Sequence, residues 1–295
     1  MSKQPVDVSL VLGSGGARGL AHIGVIHWLE EHGYRIRSIS SCSMGAVIGG
    51  VYAAGKLDVF EEWVRAITRV EIITLLDLSW RKSGLVKGDR IIDTLMRLVG
   101  DVQIEDLDMR YTAVAADVVN EKEVWINSGR LFDAIRASIS LPLFFTPVRR
   151  DGIDLVDGGV LNPVPIAPTF GDKTDLTIAV NLGGIVEPSR ETLVPAEHDS
   201  SKDNPTIVRR IEQFIDSLRD ADNDDENEDW GAYDVANQCF DAMQSTISRQ
   251  KLAAYPPDYS IDIARNACGT MEFDRAEEMI KLGYDKAQQC LGDRE

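Results

Sequence analysis

The stretch Ile39-Ser40-Ser41-Cys42-Ser43-Met44-Gly45-Ala46 constrains this chain more than any other. An apolar-alternating segment, Ile36 to Ile39, runs into a turn of small residues, and a helix-compatible run from Ala46 to Ala54 follows until Gly55 stops it. A strand that turns straight into a helix is the repeating unit of a layered α/β chain. A serine at such a corner is lifted off the backbone, near the positive end of the following helix, where developing negative charge is favoured. That is the geometry of a nucleophile elbow. Its usual form is G-x-S-x-G, and here it reads Ser41-Cys42-Ser43-Met44-Gly45, with a serine in place of the first glycine. Serine beside glycine is also ordinary turn chemistry, so the motif alone leaves both readings open.

A second strand-to-helix corner lies upstream. Val6 to Leu12 alternates and then becomes fully apolar, as a strand entering the middle of a sheet does. It ends in Gly13-Ser14-Gly15-Gly16-Ala17-Arg18-Gly19, and a helical pattern through Leu20, Ile23, Ile26 and Leu29 follows, closing at Gly33. Such a loop presents bare backbone N–H groups to an anion. It reads as a tight turn, as a dinucleotide fingerprint, or as an oxyanion hole in which the Gly15 and Gly16 amides stabilise a tetrahedral intermediate. The dinucleotide reading fails in both glycine frames, and the strand Ile36 to Ile39 does not end in the acidic residue that would hold a ribose.

Farther along, periodicity predicts a helix over Val59 to Ile67 with Asp58 as its N-cap and a second over Asp89 to Val99, with Ile72 to Trp80 between them an apolar run readable as core or as a greasy flap. Strands are expected at Tyr111 to Val118 and Glu123 to Ile126, and a helix at Leu131 to Ser138. A hairpin around Asp151-Gly152 delivers Asp157-Gly158-Gly159, whose paired glycines permit a sharp turn that aims the carboxylate back at the sheet edge. A plain turn is the competing reading of this motif. Leu176 to Asn181 is a further buried strand, and a helix from Ala232 to Leu252, a strand from Tyr259 to Ile263 and a helix from Asp274 to Leu291 close the chain. Glycine loop, serine elbow and Asp-Gly-Gly each follow an expected strand, which puts all three at strand C-termini, where ligands bind in open α/β sheets.

Composition narrows the partners. The 295 residues carry a net charge of −17, which argues against nucleic acid. No run approaches the roughly 18 to 20 apolar residues that span a bilayer, and the first residues lack a signal-peptide pattern. Cys42, Cys239, Cys268 and Cys290 have no metal-ligand spacing, so free thiols in a reducing cytoplasm are expected. Between Glu187 and Trp230 stand 14 acidic and 5 basic residues. Within that segment Ile207, Val208, Ile211, Phe214, Ile215 and Leu218 share one helical face, and Asp220 to Asp229 reads as a solvated loop.

In their order, the three motifs resemble the patatin-like phospholipase family. The resemblance runs through Leu12 to Val25, Ile39 to Gly55, Ala134 to Val148, Leu155 to Pro165 and Gly283 to Ala287. It covers residues 6–185 closely and 230–290 loosely. It implies one domain over 1–295, interrupted by an acidic insertion at about 187–230, with a three-layer fold: a mostly parallel central sheet with helices on both faces. It further implies a lipid or phospholipid acyl hydrolase that works without metal or cofactor and touches the membrane surface transiently. Ser43 would be the nucleophile and Asp157 the base, in a dyad rather than a triad. Gly15, Gly16 and the Arg18 backbone amide would form the oxyanion hole, with Gly45, Gly158 and Gly159 supporting the two turns. The Arg18 side chain would be structural or phosphate-facing. The histidines agree in a negative way: His22, His27 and His32 share one helix stretch and His198 lies in the acidic segment, leaving His22 as the one rival base. Ser41 and Ser14 replace glycines common in the family, and Cys42 is an alternative nucleophile only if the elbow points otherwise. A non-catalytic lipid-binding or regulatory protein on the same fold is the rival reading.

Overall fold

A computed structural model describes residues 5–75, 87–142, 144–187 and 232–292. The chain divides into two compact units, one of residues 1–187 and 243–295 and one of residues 188–242. The helix and loop expected between Ile207 and Asp229, and residues 76–80 of the apolar run, lie outside the described residues. Every structural statement below concerns the first unit.

Its strands are β1 (Val6–Leu12), β2 (Tyr34–Cys42), β3 (Arg110–Asp117), β4 (Lys122–Ile126), β5 (Val148–Arg150), β6 (Ile153–Asp157), β7 (Leu176–Gly184) and β8 (Tyr259–Ala264). The helices are α1 (Ala21–Glu31), α2 (Met44–Ala53), α3 (Leu57–Ala66), α4 (Arg69–Leu75), α5 (Asp89–Val99), α6 (Leu131–Ser138), α7 (Ala232–Ala254, of which 243 onward belongs to this unit) and α8 (Ala276–Leu291). β3, β2, β1, β7 and β8 are parallel neighbours in that order, and β4, β6 and β5 extend the sheet antiparallel. The expected mostly parallel sheet is present.

Strand alternation separates two layers. Leu10, Leu12, Ile178 and Val180 join the large core beneath α1, α2 and α8, while Val11 and Ala179 join Val164 and Ile166, with Leu252 of α7 packed against them. Helices therefore cover both faces, as right-handed crossovers require when β1, β2 and β3 step one way and β7 and β8 the other. One local expectation is corrected. Asp58 lies inside the first turn of α3, and Lys56 holds the N-cap position without a side-chain cap. A carboxylate in the first turn complements the helix dipole equally well, which is why sequence pattern confuses the two positions.

Among the described residues, α1 and α8 approach each other through facing glycines. A Cβ on Gly24 would fall 1.8 Å from the Ile280 carbonyl oxygen, and one on Gly283 would fall 1.9 Å from that of Ala21. Each helix thus presses its backbone against the other's glycine. Gly283→Ala is expected to cost about 1–3 kcal/mol from overpacking, after the roughly 1 kcal/mol gain in helix propensity. Gly24→Ala should cost a similar amount, and the double variant less than the sum, because either methyl opens the same gap. Urea unfolding of the three variants measures this.

Candidate active site

Two strands end nose to nose on one edge of β3. A strand has two edges, and β4 occupies one of them along Ala113 to Asp117. β2 pairs with β3 up to Cys42 opposite Val114, and β6 pairs from Leu155 opposite Asp117 down to Asp157 opposite Ala115. Since Ala113 and Val114 pair with both β2 and β4, and Ala115 to Asp117 with both β6 and β4, β2 and β6 must share the remaining edge. Their last residues therefore face one another across a single step of β3. This corrects the argument from parallel strand ends: the glycine loop and Ser43 do follow parallel strands, but Asp157 arrives on an antiparallel one. The β5–β6 hairpin turns at Asp151 and Gly152 with φ of 50° and 83°, the left-handed pair expected of Asp-Gly.

Ser43 holds the corner between β2 and α2 with φ 55° and ψ −128°. Left-handed backbone in a non-glycine residue is strained and persists only where its surroundings fix it. The fixing group is Ser138, at the end of α6. The Ser43 amide donates to Ser138 Oγ at 3.0 Å, and Ser138 Oγ donates to the Val114 carbonyl at 2.7 Å. One hydroxyl thus bridges the break where the β2 ladder stops. Gly45 lets α2 start directly against β1, for a Cβ there would sit 2.2 Å from the Leu12 carbonyl oxygen. Ser41, in the place of a glycine, is fully buried, and its hydroxyl donates to the Thr112 carbonyl at 3.1 Å. Its extra atoms are accommodated and satisfied.

Ser43 Oγ donates to Asp157 Oδ2 at 2.5 Å, and the Gly159 amide donates to Asp157 Oδ1 at 2.7 Å. Both readings of Asp-Gly-Gly hold together: one carboxylate oxygen caps the turn Gly158–Val160 while the other receives the serine. The Asp157 amide donates to the Ser140 carbonyl at 2.9 Å, and a Cβ on Gly158 would fall 2.1 Å from the Val114 carbonyl oxygen. Asp157 has no solvent exposure. Burial pushes its carboxyl up to about 6, against the lowering effect of its bonds from Ser43 and Gly159.

In the glycine loop, the amides of Gly13, Ser14 and Ala17 donate to the carbonyls of Val180, Pro163 and Thr270. Gly15 and Gly16 lie between them, at the entry of the 3-10 turn Gly16–Leu20, where the first amides have no partner inside the turn. A Cβ on Gly15 would fall 2.6 Å from Leu182, and Gly16 has φ 58°, so the path of the loop requires both glycines. The Arg18 side chain is buried and donates to the carbonyls of Arg265 and Cys268 at 3.0 and 3.2 Å, which ties the glycine loop to that stretch of chain. His22 Nε2 bonds the Gly13 carbonyl at 2.9 Å, and burial lowers the ring to about 4. His27 pairs with Glu61, and His32 with the Trp28 carbonyl. The Cys42 thiol lies against the carbonyls of Asn162 and Pro163, and burial raises it well above its ordinary value, so it is a neutral thiol facing away from the elbow. Among the described residues no group of three metal-ligating side chains stands together, and no helix is long and apolar enough to cross a membrane.

Ser43 and Gly16 open onto a cavity of about 110 Å3. Its walls are apolar side chains of α3, α4 and α5, including Phe60, Trp63, Ile72 and Leu95, together with Ile139, Phe144, Phe145 and Met271. Ile72 and Leu75 thus belong to a helix that lines the cavity. Sequence reading missed Ser138, although it stands inside a run that carried the family resemblance. Its contact with Ser43 spans 95 positions, and no local pattern marks it.

Residues 10–170, which include the glycine loop, Ser43 and Asp157, match the family model described as patatin-like phospholipase. The chain belongs to the patatin-like phospholipase family. An uncharacterized NTE family protein of Mycobacterium tuberculosis is 39% identical over 327 residues, covering 96% of this chain and 91% of that protein. Patatin-like phospholipase domain-containing protein 6 of Homo sapiens is 29% identical over 294 residues, 97% of this chain but 20% of that protein. Lysophospholipase NTE1 of Eremothecium gossypii is 30% identical over 186 residues, 60% of this chain and 12% of that protein. Membership of this family makes lipid hydrolysis the class of chemistry to be explained.

The buried carboxylate has a consequence for stability. Its folded value of about 6 lies above the ordinary 3.8, so the native state binds the proton more tightly than the unfolded chain does. This contribution is complete below pH 3.8 and is lost as pH rises through about 6. Asp157→Asn is therefore expected to unfold at higher urea concentration than wild type at pH 8, by up to about 3 kcal/mol, with the advantage gone at pH 4.

Proposed function

We propose that this protein is a serine acyl hydrolase that cleaves carboxylic esters of phospholipids or related lipids through a Ser43–Asp157 dyad. One observation carries the reading: the serine at the strained elbow donates directly to a buried carboxylate, at 2.5 Å, where it opens onto an apolar cavity. An ordinary carboxylate is too weak a base to activate a serine, and burial that raises Asp157 toward neutrality moves it in the needed direction.

Asp157 Oδ2 takes the proton as Ser43 Oγ attacks the ester carbonyl, and the resulting oxyanion accepts the amides of Gly15, Gly16 and Arg18. Collapse breaks the bond to the leaving alkoxide, which recovers the proton from Asp157 and departs as an alcohol. Water then loses a proton to Asp157 and attacks the acyl-enzyme, and the serine recovers that proton as the fatty acid leaves. The acyl chain lies among Phe60, Trp63, Phe144 and Met271, whose burial against it supplies binding energy of about 25 cal/mol per Å2. The named lysophospholipase among the relatives makes single-chain phospholipids the first natural substrates to try. In this reading the catalytic domain runs over 1–295 with the acidic segment at about 187–230 as an insertion, and the protein meets its substrate at a lipid surface.

The test is hydrolysis of medium-chain p-nitrophenyl esters and of lysophospholipid by wild type, Ser43→Ala and Asp157→Asn. Activity is expected in wild type and a loss of at least about a thousandfold in both variants. Wild-type kcat/KM should fall as pH drops below about 6, because protonated Asp157 accepts nothing. Undiminished hydrolysis by Ser43→Ala would sink the dyad. A wild type that hydrolyses neither substrate and leaves Ser43 unlabelled by a fluorophosphonate would favour a non-catalytic lipid-binding role.

A further inference from the structure

The glycine loop and the aspartate loop meet over Gly159, and a side chain from α7 lies on the junction. A Cβ on Gly159 would fall 2.3 Å from Gln244 Nε2 and 2.6 Å from Ser14 Oγ, so both side chains pack directly on this glycine. Gln244 is 7% exposed, and its Nε2 donates to Ser14 Oγ at 3.1 Å. Three segments remote in sequence thus close on one dry contact. Each of the first two leads to the site. The Gly159 amide holds Asp157 Oδ1, and Ser14 immediately precedes Gly15, with its own amide tied to the Pro163 carbonyl at 2.8 Å.

The stretch of α7 that carries Gln244 is anchored on both sides of the junction. Ser245 Oγ donates to the Gly183 carbonyl at 3.0 Å. Lys251 donates to Glu123 at 2.6 Å, and the other Glu123 oxygen accepts from Asn162 Nδ2 at 2.9 Å. The Asn162 amide in turn donates to the Gly158 carbonyl at 2.8 Å. The helix is therefore a fixed post, and Gln244 is the side chain by which it touches both loops at once. Ser14 gives that amide an acceptor, which the glycine common at this position in the family would not. Gln244 is neutral, so it acts on the site by geometry and not by field.

We propose that Gln244 is a positioning residue for ester cleavage: through Ser14 it sets the loop that offers the oxyanion amides, and by packing on Gly159 it sets the amide that holds the Asp157 carboxylate. The proposal rests on the Ser43–Asp157 reading above. It assigns to α7 a part in catalysis although that helix contributes no group to the reacting atoms. Its Gly159 arm has a signature that a purely structural contact lacks. The Gly159 N–H favours the charged carboxylate, so loosening it raises the pH at which Asp157 becomes a base.

The experiment uses the full chain as wild type, Gln244→Ala, Gln244→Met, Ser14→Ala, the double variant Gln244→Ala with Ser14→Ala, and Arg249→Ala. Arg249 is exposed on the same helix and donates to Ser245 and Thr246, while Ser245 keeps its own bond to the Gly183 carbonyl, so the removal of Arg249 takes contacts from α7 and leaves the Ser245 anchor and both Gln244 contacts in place. The readouts are kcat and KM for a p-nitrophenyl ester and the rate of fluorophosphonate labelling of Ser43, each from pH 4 to 9. Gln244→Ala and Ser14→Ala should each lower kcat and labelling about tenfold with KM unchanged, since small displacements of oriented groups act on the transition state. In Gln244→Ala the acid limb should also move to higher pH. The double variant should be little worse than Gln244→Ala alone, because that single variant already removes the tie that Ser14→Ala removes. Gln244→Met keeps the volume and loses the donor, so it should match Ser14→Ala even where Gln244→Ala folds poorly. Arg249→Ala should track wild type. Unchanged kcat and acid limb in Gln244→Ala, or losses that multiply in the double variant, would overturn the proposal while the dyad stands. A wild type that is neither active nor labelled would fail the dyad itself, and the positioning role with it.

Discussion

The shared edge of β3 governs everything else in this site. A sheet offers each strand two neighbours, and here a parallel strand and an antiparallel one divide a single edge, ending at Val114 and Ala115. The separation of Ser43 from Asp157 is therefore a matter of register, set by the hairpin that aims β6 against the grain of the sheet. A one-residue slip of β6 would turn the carboxylate to the other face, and a two-residue slip would move it by about 7 Å. The β5–β6 turn, with its left-handed Asp151 and Gly152, is thus as much a part of the site as the elbow, although it lies on the exposed rim.

Ending two strands at one point leaves backbone groups that neither ladder can serve, and the site is built from the solutions. Ser138 satisfies the Val114 carbonyl and the Ser43 amide with one hydroxyl. The Ser140 carbonyl takes the amide of Asp157, and Asp157 itself takes the amide of Gly159. Arg136, one turn before Ser140 on α6, donates to the Ser140 hydroxyl at 2.7 Å and to the Thr146 carbonyl at 3.1 Å, tying the cavity wall at Phe144 and Phe145 to the same support. Elbow, carboxylate and the Phe144 and Phe145 wall of the cavity are consequently all tied to Arg136, Ser138 and Ser140.

This division explains what could be seen in the sequence. Elements whose signals are local were legible: the helix at Asp89–Val99, the strands flanking the two glycine-bearing corners, and the Asp-Gly hairpin. The three motifs were legible as a set because their order carries information that no one of them does. The antiparallel entry of β6 was not, since a strand's own residues say little about which way its neighbour runs. Ser138 and Gln244 were invisible for a related reason. Serine at the end of a helix and glutamine within one are unremarkable locally, and both acquire meaning only through partners 95 and 230 positions away.

A direct serine–carboxylate contact also sets what the surroundings must do. With 2.5 Å between Oγ and Oδ2 there is no room for an imidazole between them, and the described histidines, His22, His27 and His32, are engaged with Gly13, Glu61 and Trp28. In the proposed mechanism the proton passes to a group that in water is far too acidic to hold it. Burial offsets that weakness by penalising the carboxylate, at a cost to stability that a solvated aspartate would not impose. Dryness is thus a requirement of the dyad before it is a requirement of the substrate. In that proposed mechanism the apolar cavity that meets Ser43 would serve both needs: its lining would keep water from the nucleophile, and it would receive the part of a lipid ester that water rejects.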